Sequence, residues 1–245
     1  MNETKEQLES IYGGEDLSHD EKLNKVKNTL NTDFYRPNKT VKPESIPEVY
    51  NPAIEIINTY FEWKENTGWI AEDDMNFAFN QFPEYIPSNE IITELSSIGE
   101  ILEIGAGGGY WGHVINMNGG ECITTDLYPP KLDIPVDNYP VTQELDGFEI
   151  STTIWSDIKK RKHTCISEFS GDYVMICHPE GLKWTEEILD LIKPTQKLIL
   201  ISEWYPGPDS TPFFFKELNE EWNLIKKYPV LNWDYSAACC YIFDY

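Results

Sequence analysis

Helical and strand patterns of apolar residues alternate along the chain from Phe77 onward. Apolar residues at helical spacing predict helices, whereas short unbroken apolar runs predict buried strands. This alternation indicates an α/β fold with a mostly parallel sheet, which we assign to residues 77–245. The pattern predicts helices near 88–98, 109–117, 184–192 and 213–227, and strands at 100–104, 121–125, 172–177, 197–203 and 239–245, with a less legible third strand near Val141.

Residues 1–76 have a different pattern, and we expect them to form an acidic helical extension. Ser18 and Glu21 have the spacing of a capping box, and apolar residues at helical spacing follow them. A proline-punctuated stretch, 36–52, separates this helix from a second one that we expect at about 52–64. The extension therefore precedes the α/β domain and lies outside its repeating pattern.

A glycine-rich turn directly follows the first strand of the α/β region. Glycines at 105, 107 and 109 come after Glu103 and before a helical pattern, and the next strand ends at Asp126. Strand, glycine turn, helix, strand and acid form the unit that holds a nucleoside-bearing cofactor at the edge of a parallel sheet. Glycine allows the tight turn and the close approach of a ligand. The carboxylate of Asp126 can accept hydrogen bonds from ribose hydroxyls.

The glycine spacing distinguishes between classes of cofactor. A dinucleotide fingerprint, Gly-x-Gly-x-x-Gly, would place a glycine at position 110, which is Tyr110 in this chain. The start of the helix is then poorly shaped for a pyrophosphate, which normally binds to those backbone amides. The spacing therefore disfavours a nicotinamide-dependent oxidoreductase.

Residues 103–109 resemble motif I of the class I S-adenosylmethionine-dependent methyltransferases, an acidic residue followed by Gly-x-Gly-x-Gly. In that family the glycine loop lies under the methionine part of the cofactor, and the acid after the second strand binds the ribose. The resemblance implies S-adenosyl-L-methionine as the cofactor. It also implies a Rossmann-like fold, a seven-stranded, mostly parallel sheet with helices on both faces and an antiparallel terminal strand beside strand five. The cofactor-binding residues that we predict are Glu103, Gly105, Ala106, Gly107, Gly109, Tyr110, Trp111, Asp126 and Cys177.

Further segments of residues 77–245 resemble a small group of uncharacterised methyltransferase-like proteins. That group shares an aromatic-x-Pro-x-Asn-Glu segment before the first strand and a Cys-Trp-Pro-Pro-like motif after strand four. It also shares an acid after strand five and a Phe-Phe-x-x-Leu-x-x-x-Trp helix. The corresponding residues here are 85–90, 177–180, Glu203 and 214–222. The chain departs from the group after strand four, where His178 and Glu180 replace the aromatic residue and the second proline.

Three polar residues after strands four and five are candidates for the acceptor site. In an open α/β sheet the substrate lies beyond the carboxyl ends of the strands, where His178, Glu180 and Glu203 are expected. Methyl transfer needs positioned reactants, and it needs a base only if the acceptor must lose a proton. We predict these three residues as catalytic, with His178 as the general base. The alternative is that His178 hydrogen-bonds to a loop backbone, and His113, inside the helix after the glycine loop, is expected to be structural.

Composition limits the compartment and the cofactors. The chain has no apolar run long enough to span a bilayer, and its N-terminal residues are too polar for a signal peptide. Its five cysteines are scattered and do not form a disulfide framework. No group of His, Cys and Asp residues has the spacing of a metal site. We therefore expect a cytoplasmic protein without a metal or a membrane span.

Charge limits the partners. The formal net charge is −23, with 19 basic and 42 acidic residues, and phosphate backbones attract clusters of Lys and Arg. Nucleic acid is therefore disfavoured, and a small molecule or a protein is the expected methyl acceptor. The one short basic run, 159–163, either contacts an anionic substrate or, as we favour, is a solvated surface.

Two leading hypotheses follow from the sequence. The first is a methyltransferase that uses S-adenosyl-L-methionine, and the second is a catalytically silent protein that keeps the fold as a cofactor-binding or protein-interaction module. The changed residues after strand four and the acidic extension give the second hypothesis some weight, and the first is the one that we adopt. A nicotinamide oxidoreductase ranks last because of the glycine spacing. The identity of the acceptor and the oligomeric state stay open.

Overall fold

The computed structural model describes residues 49–53, 82–129, 140–145, 148–179, 184–204, 209–232 and 237–245. The helices expected in the N-terminal extension and the boundary between residues 76 and 77 lie outside these residues. Residues 49–53 belong to the expected extension, and within them Ala53 is fully buried in the core of the domain. At least this part of the N-terminal region therefore packs against the α/β fold.

Helices and strands alternate through the described part of the chain, as the sequence pattern predicts. Ser88 caps the first helix, where its hydroxyl accepts a hydrogen bond from the backbone N–H of Ile91. In chain order the elements are β1 (Tyr85–Ile86), α1 (Asn89–Ser97), β2 (Ile101–Ile104), α2 (Tyr110–Met117), β3 (Cys122–Asp126), β4 (Pro140–Leu145), β5 (Phe148–Thr153), β6 (Lys159–Lys160), a 3₁₀ helix (His163–Glu168), β7 (Tyr173–Cys177), α3 (Trp184–Leu191), β8 (Lys197–Ser202), α4 (Pro212–Glu221), β9 (Asn223–Pro229), β10 (Leu231–Asn232) and β11 (Cys239–Asp244).

A seven-stranded sheet with the order β6-β3-β2-β7-β8-β11-β9 forms the centre of the fold. Strands β6, β3, β2, β7 and β8 are parallel, and β11 runs antiparallel to its neighbours β8 and β9. The predicted mostly parallel sheet and the antiparallel strand beside the fifth strand are thus confirmed. The strand order reverses between β2 and β7, where an open α/β sheet places its ligand site.

Apolar side chains on both faces of the sheet build two cores. Successive residues of a strand point to opposite faces, so Ile101 joins a core with helices α1 and α2, whereas Leu102 joins a core with α3 and α4. The strands β7, β8 and β11 contribute to both cores in the same alternating way. The sheet is therefore covered by helices on both faces, as predicted.

The predicted helix 213–227 is shorter in the structure than in the sequence prediction. Helix α4 ends at Glu221, and Trp222 has an extended backbone that leads into strand β9. Strand β9 pairs with β11 along its length at the edge of the sheet. Those inter-strand hydrogen bonds decide the conformation of residues 223–229, whose apolar spacing also suits a helix.

The third strand of the sheet is not the strand expected near Val141. A strand does cover Val141, but β4 pairs with β5 in a separate two-stranded sheet. The edge position of the central sheet is taken by the two-residue strand β6, which pairs with the end of β3. Both residues of β6 are exposed lysines, so no apolar pattern marks this strand in the sequence.

Candidate functional site

The glycine turn between β2 and α2 adopts a left-handed backbone at three positions. The φ angles of Gly105, Gly107 and Gly109 are 69°, 53° and 74°, which strain any residue that has a Cβ. A Cβ on Gly107 would meet no atom of the described residues within 4 Å. The middle of the turn therefore borders open space at the point where the strand order reverses.

The far side of the turn is closed by a segment that the sequence analysis did not single out. The backbone N–H of Trp155 donates to the carbonyl of Gly108 (2.8 Å), and the Ser156 hydroxyl donates to the carbonyl of Gly109 (2.8 Å). A Cβ on Gly109 would lie 2.9 Å from the Cβ of Ser156. Residues 155–156 belong to no motif, and only the folded chain brings them to the turn.

Asp126 lies beside the turn, at the end of β3. Its Oδ2 accepts a hydrogen bond from the backbone N–H of Gly107 (3.0 Å), and its Oδ1 accepts one from that of Tyr128 (2.7 Å). The backbone N–H of Ala106 donates to the carbonyl of Thr125 (3.0 Å), which holds the turn against the same strand end. The predicted acid and the glycine turn therefore border the same open space.

Glu103 is buried beneath helix α2. Its side chain is 1% exposed, and its Oε2 accepts a hydrogen bond from the backbone N–H of Gly112 (3.1 Å). Burial raises the pKa of Glu103 to about 8; the charge of Asp126 adds to this effect, and the Gly112 hydrogen bond opposes it. The carboxyl group thus fastens the start of α2 to β2 and faces the core instead of the open side of the turn.

Tyr110 and Trp111 are also buried, although the resemblance places them beside the cofactor. The Tyr110 hydroxyl donates to Oδ1 of Asn51 (2.7 Å) and accepts from the backbone N–H of Ala53 (3.1 Å). The Trp111 indole N–H donates to the carbonyl of Tyr85 (2.9 Å). The two rings, 3% and 2% exposed, attach residues 49–53 and strand β1 to helix α2.

His178 lies directly after β7, on the other side of the point where the strand order reverses. It has a left-handed backbone, with φ of 50°, and its backbone N–H donates to the carbonyl of Ile201 (2.9 Å). Its Nε2 lies 3.4 Å from Oδ1 of Asp209, and its Nδ1 lies 3.4 Å from Oε2 of Glu84. The imidazole packs against the ring of Tyr85, with 5.0 Å between ring centroids. The side chain is therefore held by carboxylates, in contrast to the alternative of a bond to a loop backbone.

Asp209 is the polar residue of this region that the sequence analysis missed. Its side chain is fully buried, and it accepts hydrogen bonds from the Tyr85 hydroxyl (2.9 Å) and the backbone N–H of Glu203 (2.7 Å). Burial raises the pKa of Asp209, and the charge of His178 acts most strongly in the opposite direction. No spacing rule in the sequence connects Asp209 to His178, because the contact forms only in the folded chain.

Two further predicted residues, Glu203 and Cys177, lie at the ends of different strands. The Glu203 side chain accepts a hydrogen bond from the backbone N–H of Ala237 (2.7 Å), after β8. Cys177 ends β7 opposite Ile201 of β8, and burial raises the pKa of its thiol well above the ordinary value. Glu180 lies outside the described residues, so its catalytic role stays a prediction.

His113, in helix α2, has the surroundings of a structural residue. The basic run, 159–163, has those of a surface segment. His113 lies between the rings of Tyr50 and Trp155, and burial lowers its pKa. In the basic run, Arg161 pairs with the exposed Glu168 (3.2 Å), and His163 lies 2.9 Å from a carboxylate oxygen of Glu187. These contacts agree with the interpretation of residues 159–163 as a solvated surface.

The described residues contain neither a candidate metal site nor a candidate membrane span. No group of three His, Cys, Asp or Glu side chains there has the arrangement of a metal site. No helix in the described part of the chain is long and apolar enough to cross a membrane. The five cysteines are free thiols.

The strand order and the direction of β11 define the fold. A sheet with five parallel strands, an antiparallel strand beside the fifth, and a glycine turn after its central strand β2 is the fold of the class I S-adenosylmethionine-dependent methyltransferases. The glycine turn and Asp126 occupy the strand ends at which that fold holds its cofactor. The fold that the sequence predicts is confirmed.

Comparison with known proteins gives similarities of structure but none of sequence. No protein-family model matches the chain, and no curated protein matches it in sequence. It is similar to a TehB-like SAM-dependent methyltransferase from Corynebacterium glutamicum, at 16% identity and a TM-score of 0.42 over 62% of this chain and 84% of that one. It is also similar to 1,6-didemethyltoxoflavin-N1-methyltransferase from Burkholderia thailandensis, at 13% identity and a TM-score of 0.40 over 85% and 97%.

A third similar structure is the ribosomal protein L11 methylase from Lactobacillus delbrueckii subsp. bulgaricus. It has 11% identity and a TM-score of 0.38, over 65% of this chain and 80% of that one. Similarities at this level do not decide an activity or an acceptor. The fold assignment rests on the strand order, and the function has to be inferred from the site.

Replacing Gly109 by Ala should lower the melting temperature more than replacing Gly107 by Ala. Both substitutions strain a left-handed backbone by roughly 1–2 kcal/mol. Only the Cβ at position 109 collides with Ser156, and such overpacking costs a further ~1–3 kcal/mol. Thermal unfolding followed by circular dichroism measures the difference. Adding Ser156→Gly to Gly109→Ala should recover part of the loss, whereas equal losses in the two single variants would contradict the packing of residues 155–156 on the turn.

The free energy of unfolding should fall between about pH 4.5 and 8 because of Glu103. Its ordinary pKa is 4.5 and its folded pKa is about 8, so in this window the unfolded chain loses a proton that the folded chain keeps. The stabilising contribution is complete below pH 4.5 and is lost as the pH rises, by up to about 1.4 kcal/mol per pH unit. Urea unfolding across this range should show a flatter profile for Glu103→Gln. Parallel profiles for the variant and the wild type would refute the buried, protonated state.

Proposed function

We propose that the protein is a methyltransferase that uses S-adenosyl-L-methionine and acts on a small-molecule or protein acceptor. The observation that carries this proposal is the open space beside Gly107, which Asp126 borders at the point where the strand order reverses. A ligand there meets a turn with no Cβ in its way and a carboxylate that can bind hydroxyl groups. These are the requirements of a nucleoside-bearing cofactor.

The residues beside the open space fit the cofactor. Asp126 uses one oxygen for the amide of Gly107 and the other for that of Tyr128, and a carboxylate has about four acceptor sites. It therefore keeps acceptor capacity for the ribose hydroxyls. Gly105, Ala106 and Gly107 supply the surface under the methionine part, and Cys177 supplies an uncharged thiol at the neighbouring strand end.

Three of the predicted cofactor-binding residues are buried and hold helix α2 in place after the glycine turn. Glu103 binds the amide of Gly112, while Tyr110 and Trp111 attach residues 49–53 and β1 to α2. Gly109 belongs to the same group, because its carbonyl accepts the Ser156 hydroxyl. We assign these four residues to the geometry of the turn and not to contact with the cofactor.

The bound cofactor supplies an electrophilic methyl group on its sulfonium sulfur. The protein then has to position the acceptor in line with that group and exclude water. His178 is the base for an acceptor that must lose a proton, and it lies on the neighbouring strand end. We assign Glu203, which follows β8, to the acceptor side of the site, and the catalytic role of Glu180 stays a prediction.

The acidic character of the chain favours an acceptor other than nucleic acid. The net charge is −23, and two members of the one basic run, Arg161 and His163, already contact carboxylates. A polyanion would therefore meet repulsion over most of the surface. A neutral or cationic small molecule, or a protein segment, meets no such barrier.

A catalytically silent cofactor-binding module is the second candidate. It is favoured by one observation, that both ring nitrogens of His178 lie 3.4 Å from carboxylate oxygens. The two candidates differ in turnover and agree in cofactor binding. Transfer of a tritium-labelled methyl group from S-adenosyl-L-methionine to a pool of metabolites and proteins supports the enzyme, and binding without transfer supports the silent module.

The protein should bind S-adenosylhomocysteine, and Asp126→Ala should weaken that binding about tenfold or more. Hydrogen bonds to a charged group contribute about 1.5–3 kcal/mol, and the variant loses those of the ribose hydroxyls. Isothermal titration calorimetry measures both affinities. Asp126→Asn, which can still accept the Gly107 amide, separates the loss of charge from the loss of the turn contact.

Glu121→Ala is the matched control, because Glu121 is an exposed acid next to the opposite end of β3. It should leave the affinity unchanged. Absence of heat for the wild type at high micromolar ligand would refute the proposed function, and an unchanged affinity in Asp126→Ala would refute the ribose contact.

A further inference from the structure

The carboxylate of Asp209 is buried and fixed by neighbours from three elements. Strand β1 supplies the Tyr85 hydroxyl, the residue after β8 supplies the backbone N–H of Glu203, and the residue after β7 supplies the imidazole of His178. Its side chain has no solvent exposure. A buried carboxylate needs such donors, because its desolvation costs several kcal/mol when it lacks them. Asp209 therefore has one well-defined position.

His178 is held in one orientation by its backbone and by the ring of Tyr85. Its left-handed φ of 50° and the bond from its N–H to Ile201 fix where the side chain leaves the strand end. Its side chain is 30% exposed, so one edge of the ring reaches solvent. Strain of this kind persists only where the surroundings impose it, and it is concentrated at functional sites.

The two carboxylates beside the imidazole differ in exposure. The side chain of Glu84 is 46% exposed, whereas that of Asp209 is 0% exposed. An exposed ion pair contributes little, so water or an incoming polar group can replace Glu84 at small cost. Water cannot easily replace His178 beside the buried carboxylate of Asp209, whereas it can do so beside the exposed carboxylate of Glu84. The contact with Asp209 is therefore the more lasting of the two, and the contact with Glu84 is exchangeable.

We propose that Asp209 is a positioning residue that keeps the proton of neutral His178 on Nε2 and leaves Nδ1 as the basic nitrogen toward the methyl acceptor. This inference rests on the proposed function. The Nδ1 lone pair would take the proton of an acceptor N–H or O–H group while the lone pair of that acceptor atom forms the bond to the methyl carbon. The bond between methyl carbon and sulfonium sulfur would break, and its electron pair would stay on sulfur, so that S-adenosylhomocysteine, uncharged at sulfur, leaves. The resulting imidazolium donates to Asp209, whose charge stabilises it. Glu84 leaves Nδ1 when the acceptor enters.

The charged and titratable groups around the pair are consistent with this arrangement. Glu84, Asp209 and Glu203 are acidic, and Tyr85 is the neutral donor between them. The Tyr85 hydroxyl already binds Asp209, so the carboxylate can keep its place after the proton transfer.

The position of the proton can be measured without an acceptor. In protein labelled with ¹⁵N-histidine, at about pH 9 and thus well above the ordinary histidine pKa of about 6.5, long-range ¹H–¹⁵N spectra distinguish the two neutral forms of the ring. The signal of His178 is the one that disappears in His178→Gln. We expect the proton on Nε2 in the wild type and in Glu84→Gln. A wild-type ring with its proton on Nδ1 overturns the proposal.

Asp209→Asn should invert the assignment. The asparagine oxygen can still accept from Tyr85 and Glu203, and its amide N–H would then donate to Nε2 and move the histidine proton to Nδ1. An unchanged proton position in a folded Asp209→Asn variant also overturns the proposal. If this variant does not fold, the wild type decides alone, because a wild-type proton on Nδ1 would identify Glu84, whose carboxylate lies beside that nitrogen, as the orienting group.

The proposed function and the positioning role fail in different measurements. Calorimetry with S-adenosylhomocysteine should give the same affinity for Glu84→Gln, Asp209→Asn and the wild type, since neither side chain lies at the glycine turn. Loss of binding in the wild type itself refutes the methyltransferase assignment. The proton on Nδ1 with intact binding refutes only the role of Asp209.

Discussion

The close approach of helix α2 to the sheet is the constraint on which the rest of the site depends. A Cβ on Gly112 would lie 2.2 Å from Cγ2 of Thr124, so only glycine allows the helix to pack this tightly. The approach also buries the backbone N–H of Gly112, which donates a hydrogen bond to the carboxyl group of Glu103. Because α2 is fixed at this depth, the chain must turn sharply after β2, and the left-handed glycines 105, 107 and 109 make that turn.

The same helix joins the two halves of the site. Trp111, at its start, donates to the carbonyl of Tyr85, and the hydroxyl of Tyr85 donates to Asp209 beside His178. The glycine turn and the imidazole of His178 are therefore connected through two buried aromatic residues. Under the proposed function this connection would hold the two reactants in line, as a methyl transfer needs.

The chain carries a large excess of acid, and two of its carboxyl groups are fully or almost fully buried. Glu103 is held by a backbone amide and has a pKa of about 8, so it is largely uncharged near neutral pH. Asp209 is held by a hydroxyl, an amide and an imidazole. The first group supports the turn, and the second group has the partners to orient a base. The two buried acids thus differ in their partners, which their residue type alone does not reveal.

The sequence by itself determined the helices and strands from α1 to β3, those from β7 to β8, the final strand β11, the glycine turn and Asp126. These features depend on local patterns, since apolar spacing sets an element and glycine spacing sets a turn. It did not determine strand β6, the end of α4 at Glu221, the burial of Glu103, or the contact of Asp209 with His178. Each of these depends on groups far apart in the chain. The lysine pair of β6 becomes a strand only when β3 lies beside it. Asp209 contacts His178 only when strand β1 and the chain segments after β7 and β8 come together. Tertiary structure decided them because desolvation and hydrogen bonding are set by neighbours in space.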